Sequence, residues 1–256
     1  MHRTVVLPDI HAPNHHEPSV SAVLSFIKYY KPHRLIQLGD LCDWDSVTTY
    51  DPRRESDIVN VAHEVEAANA MLDRLDKAVP NGCEKVLIGG NHEARVTKFM
   101  AKNAMSLDFR RMGFNIRSWS GAYRLADRGW SWCDYGEYRK FGKVIYTHGW
   151  YSSGNHSQRH LRLFHENILY GHTHEYQVAT GRGLDGLPVE AASIGTLSKF
   201  DLSYLVGKPP VNWVNMFAYI DTMPCGHFTP HYVHIINGQF VEHGRVFKGQ
   251  SAPSSR

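Results

Sequence analysis

Five short apolar runs in this 256-residue chain each end directly in Gly, Asp, Asn or His residues. The runs cover residues 4–8, 34–38, 85–88, 143–147 and 167–170. Because they are short, almost continuously apolar and bounded by Gly or Asp, they are typical of strands in a sheet that is covered on both faces. Helical patterns over 18–30 and 56–79, and a third that begins near Glu93, fill the gaps. This alternation predicts an α/β fold.

The polar residues that follow the runs have the chemistry of metal ligands. In an open α/β sheet, ligands bind beyond the carboxyl ends of the strands, so five such ends can converge on one site. The residues that would meet there offer nitrogen and oxygen atoms and no thiolate: Asp9, His11, Asp40, Asn91, His148, His172 and His174. Such a set suits Mn, Fe, Zn or Ni. Seven ligands are too many for one ion but suit two if a carboxylate bridges them, and Asp40 is the expected bridge.

The order of these motifs resembles that of the calcineurin-like metallophosphoesterases, including phage-encoded members. The motifs are Asp-x-His at 9–11, Gly-Asp-x-x-Asp at 39–43, Gly-Asn-His-Glu at 90–93, His-Gly at 148–149 and Gly-His-Thr-His at 171–174. They span about two thirds of the chain. The resemblance implies a four-layer αββα sandwich, in which two mixed β-sheets are flanked by helices and a dimetal site lies at the C-terminal ends of strands.

The resemblance also implies a role for each matching residue. One metal ion would be held by Asp9, His11, Asp40 and His174. The other ion would be held by Asp40, Asn91, His148 and His172. His92 would be the catalytic histidine beside the phosphate, and Asp43 would be its partner.

This residue set has a physical rationale in ester hydrolysis. Two divalent cations about 3.5–4 Å apart lower the pKa of a bridging water and hold the phosphoryl oxygens during in-line displacement. His92 can protonate the leaving alkoxide, because imidazole titrates near neutral pH. We therefore expect a phosphoesterase with two divalent ions, Mn first and Fe, Zn or Ni as alternatives, in which a metal-bridging hydroxide attacks the ester.

The region between 94 and 142 is predicted to be an insertion, and it is rich in basic and aromatic side chains. From Arg110 to Lys143, eight basic residues stand against three acidic ones, with eight aromatic residues interspersed. Basic groups that follow phosphates and rings that stack on bases are typical of single-strand nucleic-acid surfaces. The same alternation also suits strands whose rings pack on a sandwich. The candidate substrate-binding residues are Arg124, Arg128, Trp150 and His15.

We expect a phosphodiesterase or nuclease that acts on nucleic acid or nucleotides. The alternatives are a phosphomonoesterase, acting on a protein or a small molecule, and a non-catalytic scaffold that binds metal. A net charge of +3 is too small to imply nucleic acid by itself. The basic and aromatic region is what places the diesterase first.

The remaining composition predicts a single cytoplasmic domain, in the host cytoplasm if the chain is phage-encoded. Four widely spaced cysteines fit a reducing compartment better than a disulfide framework. No apolar run approaches the roughly 18 residues that would span a membrane, so we expect no membrane partner. The domain is predicted to cover 1–248, with a flexible tail over 249–256, and no feature of the sequence specifies an oligomeric state.

Overall fold

Two mixed β-sheets face each other in the computed structural model, which describes residues 1–48, 60–103, 118–201 and 211–250. The strands are β1 His2–Leu7, β2 Arg34–Gln37, β3 Glu84–Ile88, β4 Trp130–Cys133, β5 Tyr138–Phe141, β6 Val144–Thr147, β7 Asn167–Tyr170, β8 Tyr176–Arg182, β9 Pro188–Ile194, β10 Met216–Thr222, β11 Phe228–His234, β12 Gln239–Glu242 and β13 Arg245–Lys248. The helices are α1 Glu17–Tyr30, α2 Val61–Ala78, α3 Asn91–Asn103, α4 Trp119–Ala122 and α5 His156–Phe164.

The first sheet has the strand order β11-β10-β1-β2-β3-β4. Strands β1 to β4 are parallel, whereas β10 runs antiparallel to both β1 and β11. The second sheet has the order β5-β6-β7-β9-β8, with β6, β7 and β9 parallel and β5 and β8 antiparallel to their neighbours. Each sheet therefore has a parallel centre, whose strands all end at the same edge.

Alternate residues of the strands fill two different cores, because successive side chains on a strand point to opposite faces. On β1, Val6 packs between the sheets with Ile36 and Leu169. Its neighbours Val5 and Leu7 pack on the other face, under helices α1 and α2. Helix α5 covers the outer face of the second sheet. The four-layer αββα sandwich predicted from the sequence is thus confirmed.

The region 94–142 supplies strands to both sheets in its described part. Strand β4 extends the first sheet beside β3, and β5 forms the edge of the second sheet beside β6. Its rings Trp119, Tyr123 and Trp130 are buried in the core below α2. These three aromatic residues therefore pack in the hydrophobic core.

Several predicted boundaries lie outside the described residues. The start of the second predicted helix, at 56–59, is one, and the tail beyond residue 250 is another. In the described part, α2 begins after Asn60, whose side chain accepts a hydrogen bond from the backbone N–H of His63 at 2.8 Å. No helix in the described part of the chain combines the length and the apolar character of a membrane-spanning segment.

A buried carboxylate on α2 fixes the loop after Asp43. The side chain of Glu64 is fully buried and accepts hydrogen bonds from the backbone N–H groups of Asp45 and Ser46 and from the Ser46 hydroxyl. Burial raises the pKa of Glu64 from 4.5 to about 7, despite these donors. Between pH 4.5 and about 7, the Glu64 carboxyl group is therefore protonated in the folded chain and ionised in the unfolded chain.

This pKa shift predicts a pH-dependent stability. The contribution of Glu64 is fully present below pH 4.5 and is lost as the pH rises through about 7. Because Glu64→Gln cannot titrate, its free energy of unfolding relative to the wild type should rise over this range, by at most about 1.4 kcal/mol per pH unit. Urea unfolding at a series of pH values measures the difference. The control is Glu66→Gln, an exposed position on the same helix; an equal slope in both variants would contradict the assignment.

Candidate metal centre

The polar residues that follow the parallel strands of both sheets converge at one edge of the sandwich. Asp9 follows β1, Asp40 follows β2, Asn91 follows β3, His148 follows β6, and His172 follows β7. His11 and His174 lie two residues beyond Asp9 and His172. The two sheets therefore deliver their strand ends to one place, as the sequence predicts.

The first cluster consists of Asp9, His11 and His174, all buried. Nε2 of His174 lies 3.1 Å from Oδ2 of Asp9, and 2.9 Å from Nε2 of His11. Three potential ligand atoms thus face one another in a space from which water is largely excluded.

The second cluster consists of Asp40, His148 and His172, with Asn91 among them. Oδ1 of Asn91 lies 2.8 Å from Nε2 of His148 and 2.7 Å from Nδ1 of His172. Oδ2 of Asp40 is 3.4 Å from the same His148 nitrogen and 3.9 Å from Nε2 of His11. Asp40 therefore lies between the two clusters, in the position expected of a bridging carboxylate.

The hydrogen bonds on the outer side of the histidines direct lone pairs into the clusters. Nδ1 of His148 lies 2.9 Å from the carbonyl oxygen of Leu38, which can only accept, so Nδ1 carries the proton and donates. Nδ1 of His11 lies 2.7 Å from Oδ1 of Asp43 and donates in the same way. Their Nε2 atoms therefore face Asp9, Asp40 and Asn91, and they can bind a cation once it displaces the proton that they otherwise carry. Converging nitrogen and oxygen acceptors fit divalent cations.

Protons and cations compete for the same nitrogen atoms. Burial lowers the pKa of His11, but the charges of Asp43, Asp40 and Asp9 outweigh burial and raise it to about 9. For His148, the charges of Asp40 and Asp9 likewise outweigh burial and raise the pKa to about 9. Burial raises the pKa of Asp9 and Asp40, but the histidines overcome it and lower both. The clusters therefore attract positive charge.

Four of the cluster residues adopt the left-handed backbone region that favours glycine. The φ angles are 57° for His11, 50° for Asp40, 70° for His172 and 60° for His174. Such conformations are uncommon for residues with a Cβ atom and are concentrated at functional sites.

Comparison with known proteins agrees with this geometry. The sequence model of the calcineurin-like phosphoesterase family matches residues 2–188. The chain belongs to the calcineurin-like phosphoesterase family. The resemblance inferred from the five motifs is thereby confirmed. Family membership and the two clusters together indicate a site for two divalent ions.

The relatives include phage proteins. The chain is 22% identical to the Gene 54 protein of Mycobacterium phage L5, over 96% of this chain and 98% of that protein. It is 23% identical to the Gene 54 protein of Mycobacterium phage D29, with the same coverage. Among solved structures, Vps29 from Chaetomium thermophilum matches with a TM-score of 0.50 and 10% identity, over 100% of this chain and 99% of that one. At this identity the match shows a shared fold alone.

Asp43 contacts His92 through its backbone carbonyl and not through its carboxylate, which is the group expected to pair with the imidazole. Its carboxylate accepts hydrogen bonds from Nδ1 of His11 and, at 2.6 Å, from the side-chain amide of Asn14. Its backbone carbonyl, instead, lies 2.6 Å from Nδ1 of His92, whereas the carboxylate is 3.9 Å away. Asp43 thus orients His11 through its side chain and His92 through its main chain.

Two residues on α3 belong to the site although the sequence motifs predicted no role for them there. Glu93 is fully buried and accepts hydrogen bonds from the N–H groups of Gly90, Asp40 and Leu41. Arg95 donates a hydrogen bond of 3.0 Å to Nε2 of His92. The signal for Arg95 was its spacing, since residues three apart on a helix lie on the same face.

The four candidate substrate-binding residues contact residues outside the two clusters. Arg124 is exposed and pairs with Asp127, and Arg128 pairs with Asp73 and Asp76 of α2. Trp150 stacks on Phe164 of α5. His15 lies in the loop after His11, where its Nε2 contacts Glu17 at 3.0 Å and its buried Nδ1 has no partner among the described residues.

Gly171→Ala tests the position of Asp9. A Cβ atom at Gly171 would lie 2.1 Å from Oδ1 of Asp9, so the carboxylate must move. We expect Mn²⁺ affinity to fall about 10- to 100-fold, the range found when residues that support metal ligands are disturbed. Equilibrium dialysis with metal analysis measures this. The control is Gly121→Ala, whose Cβ would approach only the Ser118 hydroxyl, at 3.2 Å; wild-type affinity in Gly171→Ala would contradict the placement.

Proposed function

We propose that this chain is a hydrolase that cleaves phosphate esters with the help of two divalent metal ions. The observation that supports the proposal is the convergence of two largely buried ligand clusters on one carboxylate, Asp40. Asp9, His11, Asp40 and His174 would hold one ion, and Asp40, Asn91, His148 and His172 would hold the other. Mn²⁺ is the proposed metal, with Fe, Zn or Ni as alternatives, because the ligands are nitrogen and oxygen atoms.

Bound divalent ions supply a nucleophile from water at neutral pH and neutralise the charge of the phosphoryl oxygens. The protein's own part is to fix the ligands. Asp43 and the Leu38 carbonyl orient His11 and His148 through their outer nitrogens. The backbone N–H of His172 donates to both oxygens of Asp9 at 3.0 Å, which holds that carboxylate in place.

His92 is the proposed proton donor to the leaving group. Its Nδ1 is anchored on the Asp43 carbonyl, so Nε2 is the nitrogen that faces the centre, 3.7 Å from Oδ2 of Asp40. Burial lowers the pKa of His92 to about 4. A phosphate anion beside the ring would raise that pKa, because a nearby negative charge favours the imidazolium.

We further propose that the ester is a phosphodiester of a nucleic acid or nucleotide. Half-buried aromatic rings flank the ligands on two sides. The ring of Tyr135 lies 5.8 Å from that of His148, and the ring of Trp213 lies 4.2 Å from that of His174. Stacking on such rings is how proteins bind bases without sequence preference.

The basic residues between 110 and 143 support this substrate less than their number suggests. Arg128 is neutralised by two carboxylates of α2, and Lys140 pairs with Glu166. Arg110, Arg111 and Arg117 lie outside the described residues. The flanking rings, rather than the charge of this region, carry the proposal of a nucleotide substrate. The phage relatives are the reason to propose the host cytoplasm as its location.

Metal dependence is the first test. After chelation, turnover of bis(p-nitrophenyl) phosphate should vanish, return on addition of Mn²⁺, and exceed turnover of p-nitrophenyl phosphate. His92→Ala should keep bound Mn²⁺ and lose turnover about 10²- to 10⁴-fold, the usual contribution of general acid catalysis. Asp40→Asn should lose metal and turnover together. Rates and metal content are measured on the same samples.

The outcomes separate the alternatives. Absence of metal-dependent turnover on both esters would contradict the enzyme and support a metal-bound scaffold. If p-nitrophenyl phosphate is hydrolysed faster than bis(p-nitrophenyl) phosphate, the chain is a monoesterase and not a diesterase. If His92→Ala retains full turnover of an ester with a poor leaving group, His92 is not the general acid.

A further inference from the structure

Arg95 reaches the metal centre from helix α3. One terminal nitrogen of its guanidinium donates to the carbonyl oxygen of Asp43 at 3.0 Å and to Oδ1 of Asp45 at 3.3 Å. The other terminal nitrogen donates to Nε2 of His92 at 3.0 Å. In the described part of the chain, Arg95 is the one Arg or Lys with a hydrogen bond to the ring of His92.

The second contact places positive charge at the centre itself. Nε2 of His92 lies 3.7 Å from Oδ2 of Asp40, the carboxylate shared by the two clusters. One terminal nitrogen of the guanidinium therefore holds the loop that contains Asp43 and Asp45, and the other lies beside Nε2 of His92 at the edge of the metal centre. The Arg95 side chain is 23% exposed, so part of it can be reached from solvent.

Among the residues that the structure describes, the charge of Arg95 is only partly compensated. Its ion-pair partner Asp45 has a side chain that is 39% exposed, and the separation is 3.3 Å. The carboxylate of Asp43, whose main-chain carbonyl accepts a hydrogen bond from Arg95, is itself engaged by His11 and Asn14. The acceptor on the inner side is an imidazole nitrogen, which is a weaker partner for a guanidinium than a charged oxygen.

We propose that Arg95 binds a phosphoryl oxygen of the substrate, exchanging its hydrogen bond to Nε2 of His92 for one to the ester. This inference rests on the proposed function and adds the residue that recognises the phosphate group. A guanidinium suits this role, because its planar fork matches phosphate oxygens and always carries a charge. The exchange also releases Nε2 of His92 toward the leaving group, so substrate binding and the availability of His92 are linked.

Binding of inorganic phosphate to the Mn²⁺-loaded protein tests the inference. We expect Arg95→Gln to bind phosphate about 10- to 100-fold more weakly than the wild type, the usual effect of losing a charged hydrogen bond, with its Mn²⁺ content unchanged. Arg95→Lys should fall in between, because it keeps the charge and loses the fork. The control is Lys98→Gln, an exposed cation on the same helix, which should bind phosphate as the wild type does. Calorimetry gives the affinities and metal analysis gives the loading.

A second measurement is made on the wild-type protein, and it uses a variant only to assign the resonances. In the wild type loaded with Zn²⁺, which unlike Mn²⁺ is diamagnetic, the side-chain ¹⁵N resonances of Arg95, assigned by their absence in Arg95→Lys, should shift when phosphate is added. Unshifted resonances would overturn the inference, as would wild-type phosphate affinity in Mn²⁺-loaded Arg95→Gln. If Arg95→Gln loses its metal, the resonances decide.

The inference and the proposed function fail in different ways. Phosphate binding that depends on Arg95, in a wild type that hydrolyses no ester, would reject the hydrolase and keep the phosphate-binding role. If the wild type hydrolyses the ester, but Arg95→Gln binds phosphate as tightly as the wild type, the hydrolase is kept and the phosphate-binding role of Arg95 is rejected. For an active wild type, the KM of Arg95→Gln should rise more than its kcat falls.

Discussion

The site depends on the position of one carboxylate, that of Asp40. It must stand within reach of ligands from both sheets, in a buried space where an unpaired charge is costly. The neighbouring residues hold the Asp40 carboxylate in place and leave room for it. The backbone N–H of His92 donates to its Oδ1 at 2.9 Å, and Glu93 accepts a hydrogen bond from its N–H. At Gly90, a Cβ atom would lie 2.1 Å from the same Oδ1, so only glycine leaves room for the carboxylate.

The fold converts this local requirement into an architecture. Parallel strands end at the same edge, and packing two such sheets face to face brings the ends of β1, β2 and β3 opposite those of β6 and β7. The contact between Asp9 and the N–H of His172 joins the two sheets directly at this edge. The Glu93 carboxylate extends the network into the helical layer, since it accepts a hydrogen bond of 2.7 Å from the buried Tyr123 hydroxyl. The aromatic core and the metal centre are thus parts of one hydrogen-bonded structure.

The strands, the layers and the residues brought to the clusters could be predicted, because each leaves a local signal: an apolar run, then a polar motif. Contacts that depend on tertiary packing left no such signal. Asp43 is recognisable as a motif residue, but the atoms by which it meets His11 and His92 depend on how its loop folds. The basic and aromatic pattern near Arg128 fits both a nucleic-acid surface and a packed strand. Only the structure shows that the Arg128 guanidinium forms ion pairs with Asp73 and Asp76 of α2. The spacing of Arg95 puts it on the same helix face as His92, but only the contact itself shows that its guanidinium reaches the imidazole.

Two ions are expected to bind, one on either side of Asp40. Crystals grown with Mn²⁺ and measured at the manganese absorption edge test this arrangement. Two anomalous peaks should appear about 3.5–4 Å apart, the usual spacing of such centres, one among Asp9, His11 and His174 and the other among Asn91, His148 and His172. A single peak, or peaks that leave Asp40 without an ion, would contradict it.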